Sequence, residues 1–165
     1  MADQLGKDAA VPRTWRMSLS HRWFVAVADA LKRFEGRRWS GDPTKIATGD
    51  SIEFRHADDP ARCVVRRVVA VHRFPTFEAA LAEFADKKQL GAVLPGVASV
   101  AEGVEIYLRF VSLATQQRDG VCLIELVGDQ PTLGAVGPAS AGLGCTSVGT
   151  SELARSGGAK ADPRN

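Results

Sequence analysis

The stretch between Ser51 and Phe74 constrains this chain most. Two runs of strand character, Ser51 to His56 and Arg62 to about Phe74, flank Asp58-Asp59-Pro60, residues that favour a turn over a helix or a continued strand. So short a link joins antiparallel neighbours, because a parallel return needs a dozen or more residues. Any fold for this chain has to be built around that hairpin.

The elements on either side follow from periodicity and punctuation. Trp15 to Leu19 reads as an opening strand. Ser20 is an N-cap for a helix from about His21 to Leu31, with Trp23, Phe24, Val27 and Leu31 at helical spacing. Arg33 to Trp39 reads as a strand interrupted by Gly36, followed by turns at Ser40-Gly41-Asp42-Pro43 and Thr48-Gly49-Asp50. After the hairpin, a helix is predicted from about Thr76 to Lys88, with Phe77, Leu81 and Phe84 along one face. Ser99 then caps a helix reaching Leu113, with Glu102 at the capping-box position. Asp119-Gly120 turns the chain into a last strand, Val121 to Val127, apolar enough to be central. Strands grouped in sequence with helices to one side argue for an α+β domain, or a small barrel with helices packed on it.

Composition sets the limits of that domain. From Gly128 to Asn165 the chain has 8 Gly, 6 Ala, 4 Ser, 3 Thr and 3 Pro in 38 residues and no aromatic residue. Such a segment buries too little apolar surface to offset the roughly 1–2 kcal/mol per residue that ordering costs. We expect a flexible N-terminus over 1–12, a folded domain over 13–127, and a disordered Gly/Ala/Ser-rich tail over 128–165. No run approaches the ~20 apolar residues of a membrane span, and the first sixteen residues lack the apolar core of a signal peptide. Cys63, Cys122 and Cys145 are odd in number and widely spaced, which predicts neither a disulfide framework nor a zinc site. Cys63 and Cys122 sit inside apolar strands, where a buried thiol is the usual state. These features place the protein in the cytoplasm by default, with the nucleus left open.

The sequence has no phosphate-binding glycine loop, no nucleophile elbow and no paired-cysteine motif. His21, His56 and His72 are scattered, and neither a metal nor a cofactor is expected. Between Arg13 and Asp119 there are 17 Lys/Arg against 13 Asp/Glu, a mild basic excess. The unusual cluster is Lys32-Arg33-Phe34-Glu35-Gly36-Arg37-Arg38-Trp39. As a strand it puts Lys32, Phe34, Gly36 and Arg38 on one face and Arg33, Glu35, Arg37 and Trp39 on the other. That pattern suits either a solvated charge ladder or a cleft in which arginines grip a phosphate or carboxylate and Glu35 orients a hydroxyl or amine. A second basic stretch, Arg62, Arg66, Arg67 and Arg73, divides between both faces of the long strand.

These residues resemble the ASCH family of PUA-like domains. Trp23-Phe24 followed by Lys32-Arg33-Phe34-Glu35-Gly36-Arg37 is similar to that family's W-F-x(7)-K-T-x-E-G-R segment. Thr48-Gly49-Asp50-Ser51-Ile52-Glu53-Phe54 is similar to its G-D-x-I-x-F strand entry, and Phe74-Pro75-Thr76-Phe77 to its Y-x-S-F helix start. Val93-Leu94-Pro95-Gly96-Val97 resembles its V-L-P-G-V turn, and Glu102-Gly103-Val104-Glu105-Ile106-Tyr107-x-x-Phe110 its E-G-V-x-I-Y-x-x-F helix. The likeness runs in order from about Trp15 to Val127.

The resemblance implies a small PUA-like β-barrel with helices packed over it, and a cleft for RNA or a nucleoside. Some small members deacetylate acetylcytidine with a Lys, a Thr three residues on and a helical Glu, and another branch is credited with ribonuclease activity. By position the Lys is Lys32 and the Thr is Glu35, while Arg33 follows the lysine. The helical Glu falls near Lys88, beside Asp86 and Glu83. Three functional expectations follow. One is a module that binds RNA or a modified nucleotide or nucleoside, with Lys32, Arg37 and Arg38 on phosphate, Glu35 on a base edge or sugar hydroxyl, and Trp39 stacking. Another is a hydrolase of an acylated nucleoside or of RNA, with Lys32 and Glu35 as the reactive pair. The last is a protein–protein adaptor in which the cluster is structural.

Overall fold

The computed structural model describes residues 11–128. Apart from Val11, Pro12 and Gly128, the segments expected to be flexible at the start and disordered at the end lie outside these residues. The described residues hold strands β1 (Thr14–Leu19), β2 (Phe34–Arg38), β3 (Ser51–His56), β4 (Cys63–Phe74) and β5 (Val121–Gly128). Helices are α1 (His21–Ala28), α2 (Phe77–Asp86), α3 (Leu90–Val93), α4 (Val100–Leu108) and α5 (Leu113–Asp119), with a 3-10 turn at Asp42–Lys45.

The hairpin forms in the expected register, with Phe54 opposite Val64. It lies inside a five-stranded sheet of order β1-β3-β4-β5-β2, in which β1 runs parallel to β3 and every other pair is antiparallel. β4 is long enough to serve two partners: it pairs with β3 up to Arg67 and with β5 from Arg66 onward, across a bulge between Val68 and Ala70. Bulges increase local twist, and the sheet curls into a half-barrel. β5 explains its own apolarity, since Cys122, Ile124 and Leu126 join one core while Val121 and Leu123 join the other. The first core packs Phe24 and Val27 of α1 against Ile52, Phe54 and Val68. The second packs α2, α3 and α4 over Phe34 and Leu123. This is the α+β architecture expected, but the curl stops short of the closed barrel: β1 and β2 are the two edges of the sheet and do not pair.

Local chemistry sets where the helices begin and stop. Thr76 and Ser99 cap α2 and α4, accepting from Ala79 N and Glu102 N. Two helices are shorter than predicted. α1 ends at Ala28, not Leu31, because Ala30 adopts φ 57 and turns the chain back; Leu31 is left 60% exposed. The helix expected to reach Leu113 ends at Leu108, and Ser112 then caps the separate helix α5 by accepting from Thr115 N. Arg66, read as part of a basic stripe, instead donates to Val27 O at 3.0 Å and Ala28 O at 2.8 Å, closing the carbonyl end of α1. Cys122 is a free thiol whose burial pushes its pKa up to about 12. Cys63 is buried too but disulfide-bonded, which corrects the expectation of two thiols.

Asp50 places the edge strand. Its carboxylate accepts from Arg13 N at 2.8 Å, Trp15 Nε1 at 2.7 Å and Ala47 N at 3.0 Å, while its carbonyl accepts from Val68 N at 2.8 Å. One residue thereby ties β1, the preceding turn and β4 to the start of β3. Burial pushes the Asp50 carboxyl upward, but these N–H donors outweigh it and hold the group below its ordinary value of 3.8. The stability gained is complete above 3.8 and is lost as pH falls through the lower folded value. Asp50→Asn is expected to lower the unfolding free energy by about 1–3 kcal/mol at neutral pH. Urea melts at descending pH should show wild type and variant converging on the acid side.

Candidate functional site

The site lies where the sheet fails to close. Between β1 and β2 is a cavity of about 380 Å³, walled by Ser18 to Ser20, Trp23, residues of β2, Phe77, and the end of α4 through Val111. Arg37 Nη2 reaches across the seam to Ser18 O at 3.3 Å.

Lys32, Glu35 and Arg37 meet at its polar wall. Strict alternation puts Lys32 and Glu35 on opposite faces, but β2 begins only at Phe34, and the turn at Ala30 swings Lys32 inward. Its Nζ donates to Phe34 O at 2.6 Å and Val93 O at 2.7 Å and lies 3.6 Å from Glu35 Oε2, with the side chain 3% exposed. Glu35 Oε1 is 2.9 Å from Arg37 Nε, a buried atom out of hydrogen-bond alignment. The cluster is therefore no solvated ladder: one carboxylate is shared between two cations, at a desolvation cost of several kcal/mol per ion. Burial pushes the Lys32 pKa down, and Glu35 opposes that shift.

The backbone of β2 adds a second polar feature. Leu126 N donates to Arg33 O and Trp39 N to Gly120 O, so Arg33, Glu35, Arg37 and Trp39 are the residues whose backbone groups face β5. The backbone groups of Phe34, Gly36 and Arg38 are directed the other way, into the seam. Phe34 O is taken by Lys32, and Arg38 O accepts from Ser40 N at 2.9 Å. Gly36 presents its N–H and C=O to the cavity. Glycine is needed there because a Cβ would stand 2.4 Å from the Tyr107 hydroxyl. That hydroxyl is buried with no hydrogen-bond partner among the described residues, while the ring stacks on Phe77 at 3.7 Å. Burial, followed by the charge of Glu35, pushes the Tyr107 pKa well up, so it is a neutral donor.

Of the residues singled out in the sequence, Lys32, Glu35, Arg37 and Arg38 all line the cavity. Arg38 sits at its rim, its Nε 3.7 Å from Asp119 Oδ2. Trp39 does not line it: the ring packs against the first core, and the Arg73 guanidinium covers it at 4.5 Å. The aromatic groups at the cavity are Trp23, Phe77, Tyr107 and Phe110, which helical periodicity marks only as core. The signal that would have separated them is the pairing of Gly36 with Tyr107, and that exists only in three dimensions. Glu83, Asp86 and Lys88 lie at the far end of α2 and are not part of the lining. His21 Nδ1 meets His56 Nε2 at 3.1 Å, and His72 pairs with Glu125 at 3.0 Å. No group of three or more metal-ligating side chains occurs among the described residues.

No family model matches the chain, and no curated protein matches its sequence. Solved structures do match. A hypothetical protein designated PH0355 has a TM-score of 0.59 at 27% identity, over 68% of this chain and 96% of that one. Protein PF0455 from Pyrococcus furiosus has a TM-score of 0.53 at 30% identity, over 68% of this chain and 94% of that one. The ASCH protein of Zymomonas mobilis has a TM-score of 0.49 at 12% identity, over 72% of this chain and 69% of that one, a likeness too slight to transfer any detail of a site.

Two substitutions test the packing of the cavity wall. Gly36→Ala is expected to cost about 1–3 kcal/mol in chemical denaturation, because the added methyl meets a stacked ring. Tyr107→Phe is expected to stabilise by about 1 kcal/mol, because it removes a buried hydroxyl that nothing satisfies.

Proposed function

We propose that this chain, which belongs to one family with the Pyrococcus furiosus protein PF0455 and has the ASCH-type α+β fold, is a binding module whose seam cavity takes the base and sugar of one nucleotide, free or within RNA. The observation that carries the reading is the polar strip along β2. Gly36 offers one backbone donor and one acceptor, with the Glu35 carboxylate beside them. A nucleobase edge is likewise a planar row of donors and acceptors. Apart from Ser18, Ser20 and Ser40 the remaining wall is largely apolar and aromatic, the volume of about 380 Å³ is in the range of small-ligand pockets, and Phe110 supplies exposed ring surface for a base to pack on. Arg37 and Arg38 stand at the mouth for phosphate.

The chemistry of Lys32 favours binding over hydrolysis. A lysine nucleophile or base has to be neutral, and burial pushes that way. Two of its N–H directions are nevertheless committed to Phe34 O and Val93 O, and Glu35 stands 3.6 Å away as its ion-pair partner, which suits a fixed ammonium that holds the carboxylate in place. An adaptor would be better served by a seam filled with side chains than by an open cavity.

The test is calorimetric titration of the full chain with ribonucleosides, their monophosphates and short single-stranded RNA. Binding is expected for some member of the panel, weakened about tenfold in Phe110→Ala, an exposed position of the cavity wall. An inert panel would remove the reading. Appearance of a new nucleoside in mass spectra of an acetylated substrate, absent with Glu35→Gln, would make the protein a hydrolase instead.

A further inference from the structure

The rim of the cavity does not end at Arg38. Asp119, its ion-pair partner at 3.7 Å, lines a second, shallow cleft together with Arg73, Phe74, Pro75, Arg118 and Gly120. This cleft has a volume of about 390 Å³ and is cationic. Arg118 grips Asp119 with two hydrogen bonds, at 2.9 and 3.0 Å, so a single carboxylate is shared by Arg118 and Arg38. Arg73 has no carboxylate within ion-pair distance among the described residues. Its guanidinium rests on the Trp39 ring at 4.5 Å instead, which fixes its position without neutralising it. Two arginines thus share one aspartate and a third lines the same cleft, and Arg118 has 67% of its side chain in solvent.

The register aligns the two clefts. Arg37 on β2 and Arg73 on β4 both pair with Cys122 on β5, so they stand in one row across three strands on one face of the sheet. An anionic chain leaving the cavity past Arg37 and Arg38 therefore meets Arg118 and Arg73 next. A free nucleoside would make no use of this row, whereas a nucleotide within a strand would carry a flanking phosphate onto it.

Resting on the reading of the cavity as a nucleotide site, we infer that the Arg73–Arg118 cleft binds the phosphodiester adjoining the captured nucleotide, so that the ligand is a single-stranded polynucleotide and not a free nucleoside. In this arrangement Trp39 acts through Arg73, as the surface that positions its guanidinium, and does not itself stack on a base.

The test compares the full chain with Arg73→Gln and Arg118→Gln, both exposed positions outside the cavity. Two probes are used, ribonucleoside monophosphates and short single-stranded RNA, at about 50 and about 200 mM salt. Wild type is expected to bind the RNA at least about tenfold more tightly than any monophosphate, with the larger salt dependence. Each variant is expected to lose about three- to tenfold in RNA affinity, to show a salt slope smaller by about 1, and to keep its monophosphate affinity. Unchanged RNA affinity and salt slope in both variants, with monophosphate binding intact, would overturn this cleft and leave the cavity reading standing. Equal affinity of wild type for RNA and monophosphate would do the same. Absence of binding to either probe would overturn both.

Discussion

The ammonium of Lys32 is buried, which costs several kcal/mol for a charge, and the geometry around it is arranged to offset that cost. Three elements converge on it: the carbonyl of Phe34 at the start of β2, that of Val93 at the end of α3, and the carboxylate of Glu35. Through those contacts Lys32 fixes the entry of β2, anchors the link between α2 and α4, and turns Glu35 toward Arg37. Removing the charge would leave a buried carboxylate and two buried carbonyls short of a donor, so the arrangement stands or falls as a unit. The cavity owes its polar wall to an interaction whose first role is structural.

Much of the fold is legible in the residues. The Asp58–Pro60 turn dictates the hairpin, Thr76 and Ser99 mark helix starts by their side-chain chemistry, and the apolarity of β5, interrupted only at Glu125, announces a strand buried on both faces. Helix ends were harder, because they depend on single backbone torsions. Nothing in an alanine predicts φ 57, yet Ala30 both ends α1 and sends Lys32 inward. The Ser112 cap that separates α5 from α4 was visible in principle but sits within an unbroken helical pattern.

The site was legible in half. The charged cluster advertises itself as a run of unusual residues, and Lys32, Glu35, Arg37 and Arg38 do share one cavity. Its aromatic half did not, because a tyrosine or tryptophan at helical spacing reads as core whether it lines a cavity or fills one. Two tryptophans illustrate the difficulty. Each ring carries an arginine at 4.5 Å, but Trp39, which adjoins the cluster in sequence, lies outside the cavity, whereas Trp23, on a helix, lines it. Only the tertiary path of β2 decides between them.

The seam also has a covalent measure. Its two edges, β1 and β2, are successive strands in the chain, and the helix joining them is α1, with 8 residues. At about 1.5 Å per residue that helix is about 12 Å long, and Arg66 closes its far end by holding the last carbonyls. A helix cannot be stretched or compressed as a loop can, so the covalent link between the two edges yields only in the stretch 29–33 between α1 and β2. Lys32, held by two buried carbonyls, stiffens that stretch as well.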